Sequence, residues 1–200
     1  MVETNQESMV IRTEEQRPGN NRATKIIRSY IAGAQYRRKF DEISDSPVLN
    51  RLLYKLAKRM LYHRSGTVFE DMYWISPETL GVVAAETASS EEKSIHYSRS
   101  TLRLVKQTEG LITIHSHPDS YPPSIEDFNS NFFNHYSMGI VVGHNGAVYQ
   151  YASNQEIKRM YYELCVAGCI KEGLSEHDAQ LKTLRELSSR FSILFKEVTV

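Results

Sequence analysis

The chain has 200 residues, enough for one domain with a sizeable core plus extensions. Its 24 Lys and Arg balance 24 Asp and Glu, and a formal net charge of zero argues against a chain built mainly to hold nucleic acid or an acidic surface. No apolar run approaches the roughly 18 to 20 residues that span a bilayer, and "MVETNQESMVIRTEEQRPGNN" lacks the apolar core of a signal peptide, so a cytoplasmic, non-membrane protein is expected.

Residues 1 to about 24 hold few large apolar groups and predict a flexible leader, because they cannot bury enough surface to offset the entropy of ordering. The next stretch, "TKIIRSYIAGAQYRRKF", is basic and mildly amphipathic. It reads as a solvated face with apolar anchors, with a docking helix or a basic arm as alternatives. Residues 1–46 together are expected to form a flexible basic N-terminal extension.

A core helix is predicted from Ser46, a capping residue, and Pro47, suited to the first turn. Leu49, Leu52, Leu53, Leu56 and Met60 recur at helical spacing until Gly66. "TVFEDMYWI" and "GVVAAET" flank "SPETLG" and predict a hairpin. "SRSTLRLVKQT" predicts a short helix feeding the strand "LITIH", and "IEDFNSNFF" another helix. In "SMGIVVGHNGAVYQYAS" the Asn145-Gly146 pair joins two strands.

Ser153 and Glu156 have capping-box spacing for a helix with Ile157, Met160, Tyr161, Leu164 and Gly168 on one face. A last helix starts at Ser175, carrying Leu181, Leu184, Leu187 and Phe191. Cys165 and Cys169 lack the spacing of a zinc knuckle or redox pair and read as reduced packing residues. The order predicts an α/β fold, a mixed β-sheet core flanked by helices, with a core at 47–153 and a C-terminal helical extension at 154–200 packed on it.

The chemistry concentrates in "LITIHSHPDSYPPSIEDFNS". On a strand, residues i and i+2 face the same way, so His115 and His117 project together while Ile112 and Ile114 turn to the other side. Two such imidazoles can reach one ion, and a catalytic zinc takes three protein ligands with a fourth position for water. Asp127 is the natural third ligand, and Pro118, Pro122 and Pro123 stiffen the loop that returns it. Ser124 to Asp127 also has the spacing of a capping-box variant, and a serine there could turn its hydroxyl toward a reacting carbonyl.

"HSHPDSYPPSIED" resembles the signature of the JAMM, or MPN-plus, metalloprotease family: H-x-H-P, a loop, then S-x-x-D. The resemblance spans roughly residues 47–153, and "HRSGTVFEDMYWI" upstream is similar to JAMM-type domains of bacterial and phage-associated proteins. It implies an MPN/JAB-like, cytidine-deaminase-like architecture. It also implies one zinc ion on His115, His117 and Asp127, with Ser124 stabilising a tetrahedral intermediate. An upstream glutamate near the first strand after the core helix would activate water. Glu70 occupies that place, and Glu78, in the turn "SPETLG", is the alternative. Asp71 would alternate to the opposite face, and Glu86 sits at the far end of the next strand. The loop between His117 and Ser124 has six residues, one fewer than the family's usual seven.

The implied activity is hydrolysis of a peptide or isopeptide bond, including those joining ubiquitin-like modifiers to lysine, with a protein or peptide as substrate. The extensions would hold a partner or an oligomer contact. Two other readings share the motif: an MPN-like scaffold without catalysis, and a RadC-like DNA-associated protein. The latter's local support is eight Lys or Arg against four Asp or Glu in residues 1–40. A zinc deaminase would need H-x-E and P-C-x-x-C, and neither is present.

Overall fold

The computed structural model describes residues 10–12 and 19–200. Most of the expected flexible leader lies outside the described residues. Helix α3 (Pro47–Arg64) forms where the spacing predicts: the Ser46 hydroxyl accepts from Leu49 N–H at 3.3 Å, Pro47 opens the first turn, and Leu49, Leu53, Leu56 and Met60 are buried. Each such side chain contributes about 1.5–3 kcal/mol by leaving water. The helix stops at Gly66, whose φ of +77° suits glycine. Gly66 also lies so close to Gly19 that a Cβ on either would overlap the other's backbone.

The sheet runs in the order β1 (Val10–Arg12), β3 (Val82–Glu86), β2 (Met72–Ile75), β4 (Ile112–His117), β5 (Met138–Gly143), β6 (Val148–Ser153) and β7 (Ile193–Glu197). It is mixed: β1 runs parallel to β3 and β4 parallel to β5, and the remaining pairs are antiparallel. On one face Tyr73, Ile75, Ile112, Ile114, Ile140 and Val142 pack against α3 and the helices before it. On the other face lie α4 (Arg99–Gln107), α5 (Ile125–Phe133), α6 (Arg159–Lys171) and α7 (Glu176–Arg190), over Met72, Trp74, Val141, Tyr149 and Tyr151. The protein is an α/β fold with its sheet covered by helices on both faces. No helix among the described residues is long and apolar enough to cross a membrane.

Three expectations need correction. The segment before residue 47 is not all extension: α1 (Arg28–Ile31) and α2 (Ala34–Asp41) bury Ile31, Tyr36 and Phe40 beside α3. The break at Gly33 splits the apolar spacing between a single turn and a two-turn helix whose Tyr36 and Phe40 share one face. The α6 helix starts at Arg159, because the Ser153 hydroxyl is held in a local turn with Gln155 rather than capping a helix. It buries Tyr162 and Cys169, and Ile157 just before it is buried, but Met160 and Leu164 stand 74% and 67% exposed. The C-terminal segment is also not purely helical: β7 pairs with β6 along its length and completes the sheet.

Candidate metal centre

The β4 strand carries Ile112 and Ile114 into the α3 face and His115 and His117 into a cleft on the other, as strand alternation requires. Both histidines are buried, at 2% and 8% exposure. Asp127 reaches them from the first turn of α5. Ser124 caps that helix with a complete capping box: its hydroxyl accepts from Asp127 N–H at 3.2 Å, while its own N–H and hydroxyl donate to Asp127 Oδ2 at 2.7 and 2.8 Å. The motif that fixes the start of the helix therefore also fixes the carboxylate.

The three side chains converge. His115 Nε2 lies 3.0 Å from His117 Nε2 and 3.3 Å from Asp127 Oδ1, and His117 Nε2 lies 3.6 Å from Asp127 Oδ2. One ligand atom from each falls within 4.8 Å of the others. Atoms about 2.0–2.1 Å from a central zinc in tetrahedral array are about 3.3–3.4 Å apart, so the set fits such an ion. Tautomer chemistry agrees: His117 Nδ1 lies 3.0 Å from the Tyr121 carbonyl oxygen, which can only accept. The neutral ring therefore carries its proton on Nδ1, which turns the Nε2 lone pair to the shared space. His115 Nδ1 finds no hydrogen-bond partner among the described residues. For Asp127, burial by itself would raise the carboxyl pKa. The His115 and His117 imidazoles and the Ser124 hydroxyl outweigh it and hold the group well below the usual carboxylate range.

Glu70 lies just before β2, is 8% exposed, and lines the same cleft. Burial pushes its carboxyl up to about 7, against the opposing pull of His117. The rival carboxylates sit elsewhere. Glu78 is exposed in the β2–β3 turn, and Glu86 accepts from Ser98 N–H and the Thr101 hydroxyl at the start of α4. Asp71 turns to the α3 face, bonded to His63 Nδ1 at 2.6 Å and Arg64 Nε at 2.5 Å.

All five sequence-predicted residues, Glu70, His115, His117, Ser124 and Asp127, line one open cleft of about 930 Å³. Ile95, Tyr97, Leu102 and Tyr136 form an apolar wall, while Glu92, Asp119, Glu126 and Glu176 give other parts of the lining an acidic character. Lys93 crosses toward Asp119 at 3.3 Å. Sequence reasoning missed the Tyr121 carbonyl that orients His117, since a main-chain acceptor leaves no mark in residue type. It also missed Tyr136 and Tyr151 in the lining. Comparison with protein families, with curated proteins and with solved structures found no match for the chain.

Proposed function

We propose that the chain is a zinc-dependent metallopeptidase or isopeptidase of the JAMM, or MPN-plus, type, with the MPN/JAB-like architecture which that implies. The observation that carries the reading is the convergence of His115, His117 and Asp127, one ligand atom from each within 4.8 Å of the others, beside a buried glutamate, Glu70, in one cleft. A zinc ion on those three ligands would supply Lewis acidity, making a water acidic and a carbonyl electrophilic.

The rest of the chemistry belongs to the chain. Glu70 accepts the proton of the attacking water and returns it to the leaving amine, a role that suits a buried carboxyl lining the same cleft as the ligands. Ser124 donates its hydroxyl to the developing oxyanion. In turning there it gives up its bond to Asp127 Oδ2, which keeps the Ser124 main-chain N–H. Tyr121 holds the His117 ring in the ligating tautomer. The cleft is open enough to admit an extended chain, so the substrate class is a peptide or a lysine-linked conjugate such as a ubiquitin-like modifier, handled in the cytoplasm.

The test is zinc content followed by amine release from linear and lysine-branched peptides. About one zinc per chain, amide hydrolysis, and loss of hydrolysis with zinc retained in Glu70→Gln support the reading. Wild-type protein that binds zinc and releases no amine would make the site a scaffold instead, and full activity in Glu70→Gln would remove Glu70 from the mechanism.

A further inference from the structure

The middle residue of the histidine motif, Ser116, points away from the metal centre and is fully buried. The β2–β4 register pairs Met72 with His115, and continuing it sets Asp71 opposite Ser116 and Glu70 opposite His117. A regular antiparallel pair exchanges two main-chain hydrogen bonds. Here Ser116 N–H donates to the Asp71 carbonyl at 3.1 Å, but Asp71 N–H donates to the Ser116 hydroxyl, also at 3.1 Å. The side chain has taken the place of the main-chain acceptor, and β2 begins only at Met72. The ladder thus opens at the point where Glu70 leaves it.

Asp71 is fixed from its other end as well. Its carboxylate receives Arg64 Nε and His63 Nδ1 from the last turn of α3, and Arg64 Nη2 donates to the Thr87 carbonyl at 2.6 Å. Asp71, Arg64 and Ser116 are each no more than 3% exposed, so these bonds form away from competing water.

We propose that Ser116 and Asp71 are the positioning pair of this centre. Their clamp, anchored on α3, fixes the main chain of Glu70 relative to His115 and His117 and so sets where the carboxylate meets the attacking water. The catalytic consequence rests on the amide-hydrolase reading, and the clamp itself does not. The motif then couples base to ligands through its middle residue: the two histidines face the candidate metal centre and the serine between them holds the segment that bears the base. A shift of about 1 Å in such a group is enough to cost about a hundredfold in rate.

Ser116→Ala removes one oxygen, and Ser116→Thr keeps the hydroxyl; thermal melts establish that each variant folds. In zinc-loaded protein, Ser116→Ala is expected to keep wild-type zinc content and a KM within about threefold while kcat falls about 30- to 100-fold, and Ser116→Thr is expected to restore most of the rate. In metal-free protein, the Asp71 amide is expected to exchange with solvent at least about tenfold faster in Ser116→Ala. A kcat within threefold of wild type, or zinc lost in step with activity, overturns the proposal. If the wild type hydrolyses no amide, the functional reading fails by itself and Asp71 amide exchange decides the clamp: exchange unchanged in Ser116→Ala overturns it.

Discussion

Ser124 gives both its main-chain N–H and its hydroxyl to a single oxygen of Asp127, at 2.7 and 2.8 Å, leaving the other oxygen 3.3 Å from His115 Nε2. Helix cap and candidate ligand are one carboxylate. Ser124→Ala is therefore expected to cost about 1 kcal/mol of stability through the lost cap and about tenfold in zinc affinity through the loosened ligand. Urea unfolding of the metal-free chain and zinc competition against a chromophoric chelator read the two effects separately. An unchanged zinc affinity would show that the backbone N–H alone positions Asp127.

Glu70 gives a pH dependence of definite sign. Its carboxyl is raised from 4.5 to about 7 by burial, so between those values the folded metal-free chain binds more protons than the unfolded one. Stability from this group is full below about pH 4.5, falls as pH rises through the window, and levels above about 7. Glu70→Gln is expected to match wild type near pH 4.5 and exceed it by about 3 kcal/mol at pH 8 in chelator. Paired denaturant melts across that range check it; parallel curves would mean that Glu70 is not desolvated.

Much of this site is legible in the sequence because it is built from local rules. Strand alternation puts His115 and His117 together and capping spacing joins Ser124 to Asp127, whereas Glu70 is singled out by the resemblance, at the start of a strand that in the fold begins only at Met72. The parts that were not legible depend on tertiary choice. In α6, Met160 and Leu164 have a core-facing spacing yet are exposed, because the helix begins past Ser153 and presents Tyr162 and Cys169 instead. In "SILFKEV" the alternation of Ile193 and Phe195 marks a strand, but the segment follows directly on α7, and only its pairing with β6 decides the matter. Tyr36 and Phe40 sit among arginines and lysines, and their burial becomes visible only once α3 is in place beside them.

Arg64 and Asp71 form a buried ion pair beneath the segment that carries Glu70 into β2. Arg64→Met takes the permanent cation from a buried carboxylate and leaves Asp71 to its bond with His63, and it is expected to destabilise the chain by about 3 kcal/mol. The double variant Arg64→Met with Asp71→Leu should recover most of that loss. Chemical denaturation of the three proteins decides it, and a single-variant cost below about 1 kcal/mol would mean that Asp71 finds water or another donor.

Gly139 on β5 leaves room for the Tyr151 ring, which lines the cleft with its centroid 6.4 Å from that of His115. A Cβ at position 139 would overlap that ring. Gly139→Ala is expected to cost about 1–3 kcal/mol and to displace Tyr151 toward the histidines, visible as a change in Tyr151 ring resonances. Wild-type stability in this variant would contradict the packing described.

The most direct measurement is a crystal structure of zinc-loaded protein with anomalous data across the zinc edge. The expected result is one zinc peak ligated by Nε2 of His115, Nε2 of His117 and an oxygen of Asp127, with the Glu70 carboxylate within one bridging water of the open position. A zinc held by other residues, or a Glu70 carboxylate turned out of the cleft, would contradict the assignment.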